Sequence, residues 1–273
     1  VLTLVEVTNS RSNTLRFPVA DSSGGYSVRS IQGLGPVDAA LTSSSIAQAD
    51  GASPQNARRD VRNLLFKLGL EPDYSSNTVE SLRSDLYDYF LPKTNIQVAI
   101  YLDDVLFAVT QGQVETCQNE MFSDDPEVDV SIICYDPDLY APAQQVLSAN
   151  TTSGTDFQTI SYPGSTETGV IFTLNVNRIM SSFALYNTTP DNKTQVVQVN
   201  GSFAPGDIVT ITSIVRQKSV KLTRSGITTS VLFYRDSSSD WITLQKGDNH
   251  FRAFASGAAI PYTVAYTPKY GAI

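Results

Sequence analysis

The sequence predicts a mainly β chain in two domains, with one helix, and three observations carry that prediction. Apolar residues recur at every second position in several separate runs of the first half, the period of strands with one buried face. A helical period is found once, between Thr78 and Leu91. After Gln144 no helical period returns, and short strand-like segments follow one another every roughly 8–12 residues with turn residues between them, the pattern of a β-sandwich of jelly-roll type.

The division into two falls at Val128–Pro142. Val128, Val130, Ile132 and Cys134 alternate with Asp129, Ser131 and Ile133, and the strand pattern then stops at Asp136-Pro137-Asp138, a turn sequence, with Pro142 following. Charge changes at the same place. Residues 1–143 hold 9 Lys and Arg against 20 Asp and Glu, and residues 144–273 hold 10 against 7, so all of the net −8 comes from the first half. Two halves of similar length and opposite charge predict domains at 1–143 and 144–273. The joint, Asp136, Pro137 and Asp138, is expected to act as a hinge that fixes the angle at which the second domain leaves the first.

In the first half, Val1–Val7 alternates weakly and Thr14–Val19 follows a polar turn, both readable as strands; Tyr26–Gly35 is a third that breaks at Gly33 and Gly35. Pro36–Asn63 has no periodicity and ends in the basic cluster Arg58, Arg59 and Arg62. An irregular stretch of this length within a compact domain suggests an arm that reaches a neighbouring subunit, with those arginines meeting its acids, or else a mobile surface loop. Asn63–Leu70 resumes strict alternation. The helix at Thr78–Leu91 places Val79, Leu82, Leu86 and Tyr89 on one face; Asn77 is its expected cap with Glu80 reaching back, and Pro92 ends it. Ile96–Leu102 and Val105–Val109 form a hairpin across Asp103-Asp104, and Gln113–Glu120 pairs with Val128–Cys134 around an acidic loop.

In the second half Gln144–Thr155 reads as a Ser/Thr/Asn-rich spacer. Ten strands are expected after it: Phe157–Tyr162, Thr168–Val176, Phe183–Asn187, Thr194–Val199, Asp207–Ile214, Lys218–Arg224, Thr228–Tyr234, Trp241–Leu244, Phe251–Phe254 and Tyr262–Thr267.

Little in the chain points to catalysis. It has one histidine, His250, before an alternating strand, and two cysteines, Cys117 and Cys134, read as free thiols and too few for a disulfide framework. Nucleophile-elbow, phosphate-loop and dinucleotide motifs are missing, and His/Cys metal sites lack ligands. Asp124, Asp125, Glu127 and Asp129 do not have the spacing of a calcium loop and read as a solvated acidic loop. No catalytic, cofactor or metal residue is therefore expected. The longest apolar runs are five residues, too short to span a bilayer as a helix, and there is no charged-then-apolar signal-like start. The acidic balance argues against general nucleic-acid affinity. Four Asn-x-Ser/Thr sequons, at Asn150, Asn187, Asn192 and Asn200, arise readily in so Ser/Thr-rich a segment. Trp241 reads as a core anchor, with sugar stacking as the other possibility.

Several segments in order resemble the siphophage distal tail proteins (Dit): Ser30–Ala40 SIQGLGPVDAA, Asp50-Gly51, Arg62–Leu70 RNLLFKLGL, Leu82–Pro92 LRSDLYDYFLP and Ser131–Tyr140 SIICYDPDLY. The second half continues the likeness with Ile160–Gly169 ISYPGSTETG, Asn200–Ile211 NGSFAPGDIVTI, Lys218–Gly226 KSVKLTRSG, Trp241–Phe251 WITLQKGDNHF and the closing Val264–Gly271 VAYTPKYG. Tyr135 departs from the family, which has Pro before that Asp.

The resemblance implies a non-enzymatic virion protein. Its N-terminal domain would be a tail-tube-like β-sandwich with a flanking helix and an arm, its C-terminal domain a galectin-like sandwich. Six copies would form a ring at the distal end of a siphophage tail, joining the tail tube protein to the tail-associated hub protein and supporting the host-adhesion device. The C-terminal domain would be a platform for receptor-binding proteins. DNA would pass only as cargo, repelled overall by an acidic ring, and the protein would be assembled in the host cytoplasm and reside at the virion tail tip, without membrane insertion. The alternative function is a carbohydrate-binding host-recognition module on a β-sandwich.

Overall fold

A computed structural model describes residues 1–45, 50–119 and 123–273. Residues 46–49, inside the expected arm, and 120–122, which include the end of the expected strand at Glu120, lie outside the described residues. The chain forms two compact units, Val1–Pro142 together with Tyr270–Ile273, and Ala143–Lys269. A single cut in the sequence misses the return of Tyr270–Ile273 to the first unit. Those residues carry no periodicity, and what attaches them is local: Tyr270 packs on Phe107 at 4.7 Å between ring centroids, and the Ile273 N–H donates to Leu34 O at 3.1 Å.

In the first unit the elements run β1 (Leu2–Asn9), β2 (Thr14–Pro18), β3 (Tyr26–Gln32), β4 (Ala39–Ser44), β5 (Ser53–Arg59), β6 (Arg62–Leu70), α1 (Val79–Phe90), β7 (Asn95–Leu102), β8 (Val105–Asn119) and β9 (Glu127–Cys134). One sheet runs in the order β2-β1-β7-β8-β9-β6-β3. The alternation read in β6 and β9 reports its buried face, because Leu64, Leu68, Val128, Ile132 and Cys134 are wholly inaccessible. These side chains form one core with Val5, Val7, Val98 and Ile100. The helix covers that core with Leu82, Leu86 and Phe90, the last stacked on Phe17 at 6.2 Å.

The helix cap differs from the expected one. Thr78 is the N-cap, its hydroxyl receiving the Ser81 N–H while the Ser81 hydroxyl receives that of Thr78. Asn77 instead accepts from the Asp73 N–H, closing the preceding turn. Both residues suit a cap, and the helix begins at the later one because Asn77 is already engaged. The Asp103-Asp104 hairpin forms as expected, with both φ angles positive (48° and 61°), the twist a two-residue hairpin requires.

Pro36–Asn63 is not irregular. Its middle is a separate two-stranded antiparallel hairpin, β4 against β5, with Ala39 opposite Arg59 and Ser44 opposite Ser53. None of the positions in its two strands is buried, and Leu41 is 76 % exposed. Periodicity is absent from its sequence because the chain itself buries neither face.

The second unit is a two-sheet sandwich. One sheet runs Gln145–Asn150, Pro261–Tyr266, Ile171–Asn175, Ile208–Thr212, Ser219–Arg224, Ile227–Ser230; the other runs Gln158–Tyr162, Gly247–Phe254, Met180–Thr188, Thr194–Phe203. The sheets meet through aromatic rings, Phe172 of the first lying 6.1 Å from both Phe183 and Phe251 of the second. Each such buried ring contributes on the order of 1.5–3 kcal/mol. Four expectations change. The expected spacer contains a strand, Gln145–Asn150, whose polar composition hid it, and Thr228–Tyr234 is a strand only to Ser230 before a 3-10 turn at Leu232–Tyr234. Thr168–Val176 is divided into Thr168–Gly169 and Ile171–Asn175, and Trp241–Leu244 is a strand only at Thr243–Leu244, which pairs with Thr168–Gly169 as a small separate sheet. Among the described residues no helix is long and apolar enough to cross a membrane.

Candidate functional site

The residues singled out in the arm and at the joint come together in the first unit. β5 ends at Arg59 and β6 starts at Arg62, so the hairpin returns to the sheet through Asp60 and Val61. At that return Arg59 Nη1 lies 2.6 Å from Asp138 Oδ1, in an ion pair whose carboxylate side chain is 5 % exposed. The hydrogen bond to Asp138, with its negative charge, holds the Arg59 guanidinium above its ordinary pKa. Asp138 is itself positioned by Asp136, whose Oδ1 accepts the Asp138 N–H at 3.1 Å and whose Oδ2 accepts the Tyr140 hydroxyl at 2.5 Å.

Arg62 is wholly buried and is the largest side chain so enclosed. Its guanidinium meets backbone carbonyls. Nε donates to Pro137 O at 2.9 Å, Nη1 to Gly33 O and to Gly35 O, the latter at 2.8 Å, and Nη2 to Gly271 O at 2.7 Å. Desolvation lowers its pKa from the ordinary arginine value. A buried charge is tolerated only where hydrogen bonds replace its hydration, and the planar guanidinium fork meets carbonyls from three directions. Gly33 makes the approach possible: at φ +88° a Cβ there would lie 1.9 Å from Asn63 O. Arg58, on the exposed β5, forms no ion pair among the described residues. Sequence reasoning found the three arginines but not the burial of one or its glycine partners, since nothing in a basic cluster says which member turns inward.

The other candidates are placed as follows. Asp125 accepts from Arg29 at 3.1 Å and Glu127 pairs with Lys67 at 2.7 Å, and no group of His, Cys, Asp and Glu suited to a metal occurs among the described residues. Cys117 is half-buried and Cys134 buried, both free; burial raises both thiols, Cys117 to about 11. His250 lies against Phe157, ring centroids 4.3 Å apart, on an interior strand of the smaller sheet. Asn187 is wholly inaccessible, with Nδ2 donating to Thr243 O at 3.0 Å, which rules out its sequon as a modification site in the folded chain. Trp241 packs half-buried against the core, with the Arg235 guanidinium 4.6 Å and the Lys218 ammonium 5.5 Å from its ring. Those cations compete for the π-surface on which a sugar would stack.

This arrangement ties both roots of an exposed hairpin to the first unit. Residues 163–270 match the model of a family described as the siphovirus-type tail component, C-terminal domain. The crystal structure of SPP1 Dit (gp 19.1), described as a paradigm of hub adsorption apparatus in Gram-positive infecting phages, superposes with a TM-score of 0.68 at 14 % identity, covering 97 % of this chain and 98 % of that one. A chain of the phage P2 baseplate, in its activated conformation with Ca, gives a TM-score of 0.47 at 10 % identity over 100 % of both, a likeness too weak to argue from. No curated protein sequence matches the chain. Residues 163–270 thus match the C-terminal-domain model of siphovirus-type tail components, and the whole chain carries the fold of the SPP1 Dit protein.

Proposed function

We propose that the protein is a structural, non-enzymatic part of a phage tail that forms a hexameric ring at the distal end, joins the tail tube to the baseplate hub and supports the adhesion device. The observation that carries the ring is the β4–β5 hairpin. A lone two-stranded hairpin is at best marginally stable in water, yet this one stands with no buried position in either strand and a largely exposed Leu41. Such a hairpin gains its cover from another chain, and a further copy of the same protein is the partner a ring supplies. The SPP1 Dit fold supports the same reading. The first half's surplus of acids suits a channel for DNA that must not grip phosphates, and the second unit would face the receptor-binding proteins. Assembly would take place in the host cytoplasm, and the finished protein would sit at the tail tip.

The test is mass in solution. The intact chain is expected to scatter light as a particle six times 29.7 kDa and to show a six-fold annulus by negative stain. Deletion of Ser43–Pro54 should leave a folded monomer. An unchanged hexamer after that deletion would overturn the arm as the ring contact.

A further inference from the structure

We propose that Tyr270–Ile273, reached only after the whole second unit, is the last part of the hairpin's mounting, and that Arg62 is the residue through which it acts. This rests on the reading of β4–β5 as the assembly arm.

The inference follows from what shares the Arg62 side chain. Gly33 and Gly35 lie on the stretch between β3 and β4 and therefore form the outgoing root of the hairpin; Arg62, three residues beyond Arg59, stands at its incoming root. Pro137 fixes the cluster to the turn after β9. The remaining guanidinium nitrogen, Nη2, meets Gly271 O, and two residues on the Ile273 N–H donates to Leu34 O, between the two glycines. The returning segment thus touches the outgoing root twice, once through Arg62 and once directly. Removing it leaves one guanidinium nitrogen facing no acceptor in a buried place, where an unmade hydrogen bond is expensive. The root would then lose the direct tie from Ile273 and keep only its bonds from Arg62 Nη1, on a guanidinium no longer held at Nη2. Beside it, the pair between Arg59 and Asp138 holds only the incoming strand.

An arm held at both roots is ordered before it meets a neighbour, so less conformational entropy is lost on association. The chain as drawn also delays that order. The mounting closes only when Tyr270–Ile273 is present, after Ala143–Lys269 has been made. The returning segment would therefore make arm competence depend on synthesis of the second unit, a built-in check against association of a chain whose second unit is not yet made.

The experiment is hydrogen–deuterium exchange by mass spectrometry on the full chain and its variants, at a concentration where light scattering shows one chain per particle. The reporters are the root amides of Ala39–Ser44 and Ser53–Asp60, including the Asp60 N–H that donates to Asp38 O at 2.9 Å. Deletion of Tyr270–Ile273 and Arg62→Lys should each raise their exchange at least tenfold while the strand Ile171–Asn175 keeps its protection. The double variant should fall short of the sum of the two single ones, because they share the contact between Arg62 and Gly271. Ile273→Pro, which removes only the N–H received by Leu34, should give a smaller rise in the same direction; it keeps the test open should the deletion fail to fold. Root protection unchanged by either the deletion or Ile273→Pro would overturn the proposal, as would fully additive effects in the double variant. Ring formation is read separately. A hexamer that survives loss of Ser43–Pro54 sinks the assembly reading and leaves the exchange result to decide the mounting.

Discussion

The hairpins β7–β8 and β4–β5 belong to the same unit and use the same antiparallel pairing, yet only one has a face in the core. In β7 and β8 the side chains of Val98, Ile100 and Ala108 are wholly inaccessible, whereas β4 and β5 have no buried position. In the first, β7 matches its expected span to within a residue, while β8 is one continuous strand to Asn119 where the sequence suggests two, Val105–Val109 and Gln113–Glu120; the second has a sequence that reads as irregular chain. Alternation is thus a record of burial and not of strand geometry. A strand whose cover comes from elsewhere leaves no such record. The comparison also separates two tasks: β7–β8 holds the unit together, and β4–β5 is held by it.

The sharpest way to break that contrast is to truncate one apolar side chain in each. Ile100→Ala removes a buried branched chain from a filled core and should cost the first unit about 2–5 kcal/mol. Leu41→Ala should change its stability by no more than about 0.5 kcal/mol, the usual range for an exposed position. Native-state exchange of the first-unit core amides gives both values without mixing in the second unit. Comparable losses at the two sites would mean that β4–β5 is packed within its own chain.

A smaller effect is expected at the root. Asp138→Asn replaces the acceptor of Arg59 with a neutral amide in a place that is 5 % exposed, and should cost about 1.5–3 kcal/mol, the span for a hydrogen bond to a charged group. Arg58→Gln should leave the monomer unaltered within about 0.5 kcal/mol. If Arg58 meets an acid on a neighbouring copy, the same substitution should weaken the ring, and by less in high salt. A destabilised Arg58→Gln monomer would show that the arginine has a partner inside the chain.

What could be read in advance follows the same division. β9 was legible because Val128, Val130, Ile132 and Cys134 all face one core, and α1 because Leu82 and Leu86 do. Tyr89, expected on the stripe, packs half-buried against that core, and Phe90 beside it is wholly buried at the last turn, where the helix ends against Phe17. Gln145–Asn150 escaped because an edge strand with exposed Gln145, Ser148 and Asn150 has the composition of a linker. The cluster at the hairpin root was half visible. Arg59, Arg62 and Asp138 were singled out for separate roles, but that they meet is a matter of tertiary distance. The Arg62 partners are main-chain carbonyls, which every residue carries and no sequence marks.

The smallest effect tests the turns. Asp104 sits at φ +61° in the two-residue loop of β7–β8, a conformation that costs a residue with a Cβ more than it costs glycine. Its backbone N–H donates to Thr3 Oγ1 at 3.0 Å, a bond that glycine would keep. Asp104→Gly relieves the left-handed strain and the repulsion from Asp103, but gives the unfolded chain more freedom. The balance should favour the variant by about 0.5 kcal/mol, since Asp-Gly is a preferred pair for this turn. The other hairpin offers the mirror test at Gly51, φ +95°, where an added Cβ meets nothing within 4 Å. Gly51→Ala should strain its tip by about 1 kcal/mol without moving global unfolding of the unit, because a segment with no buried face opens on its own before the core does. A global loss at Gly51 equal in size to the local strain would tie the two hairpins into one cooperative unit and end the distinction between them.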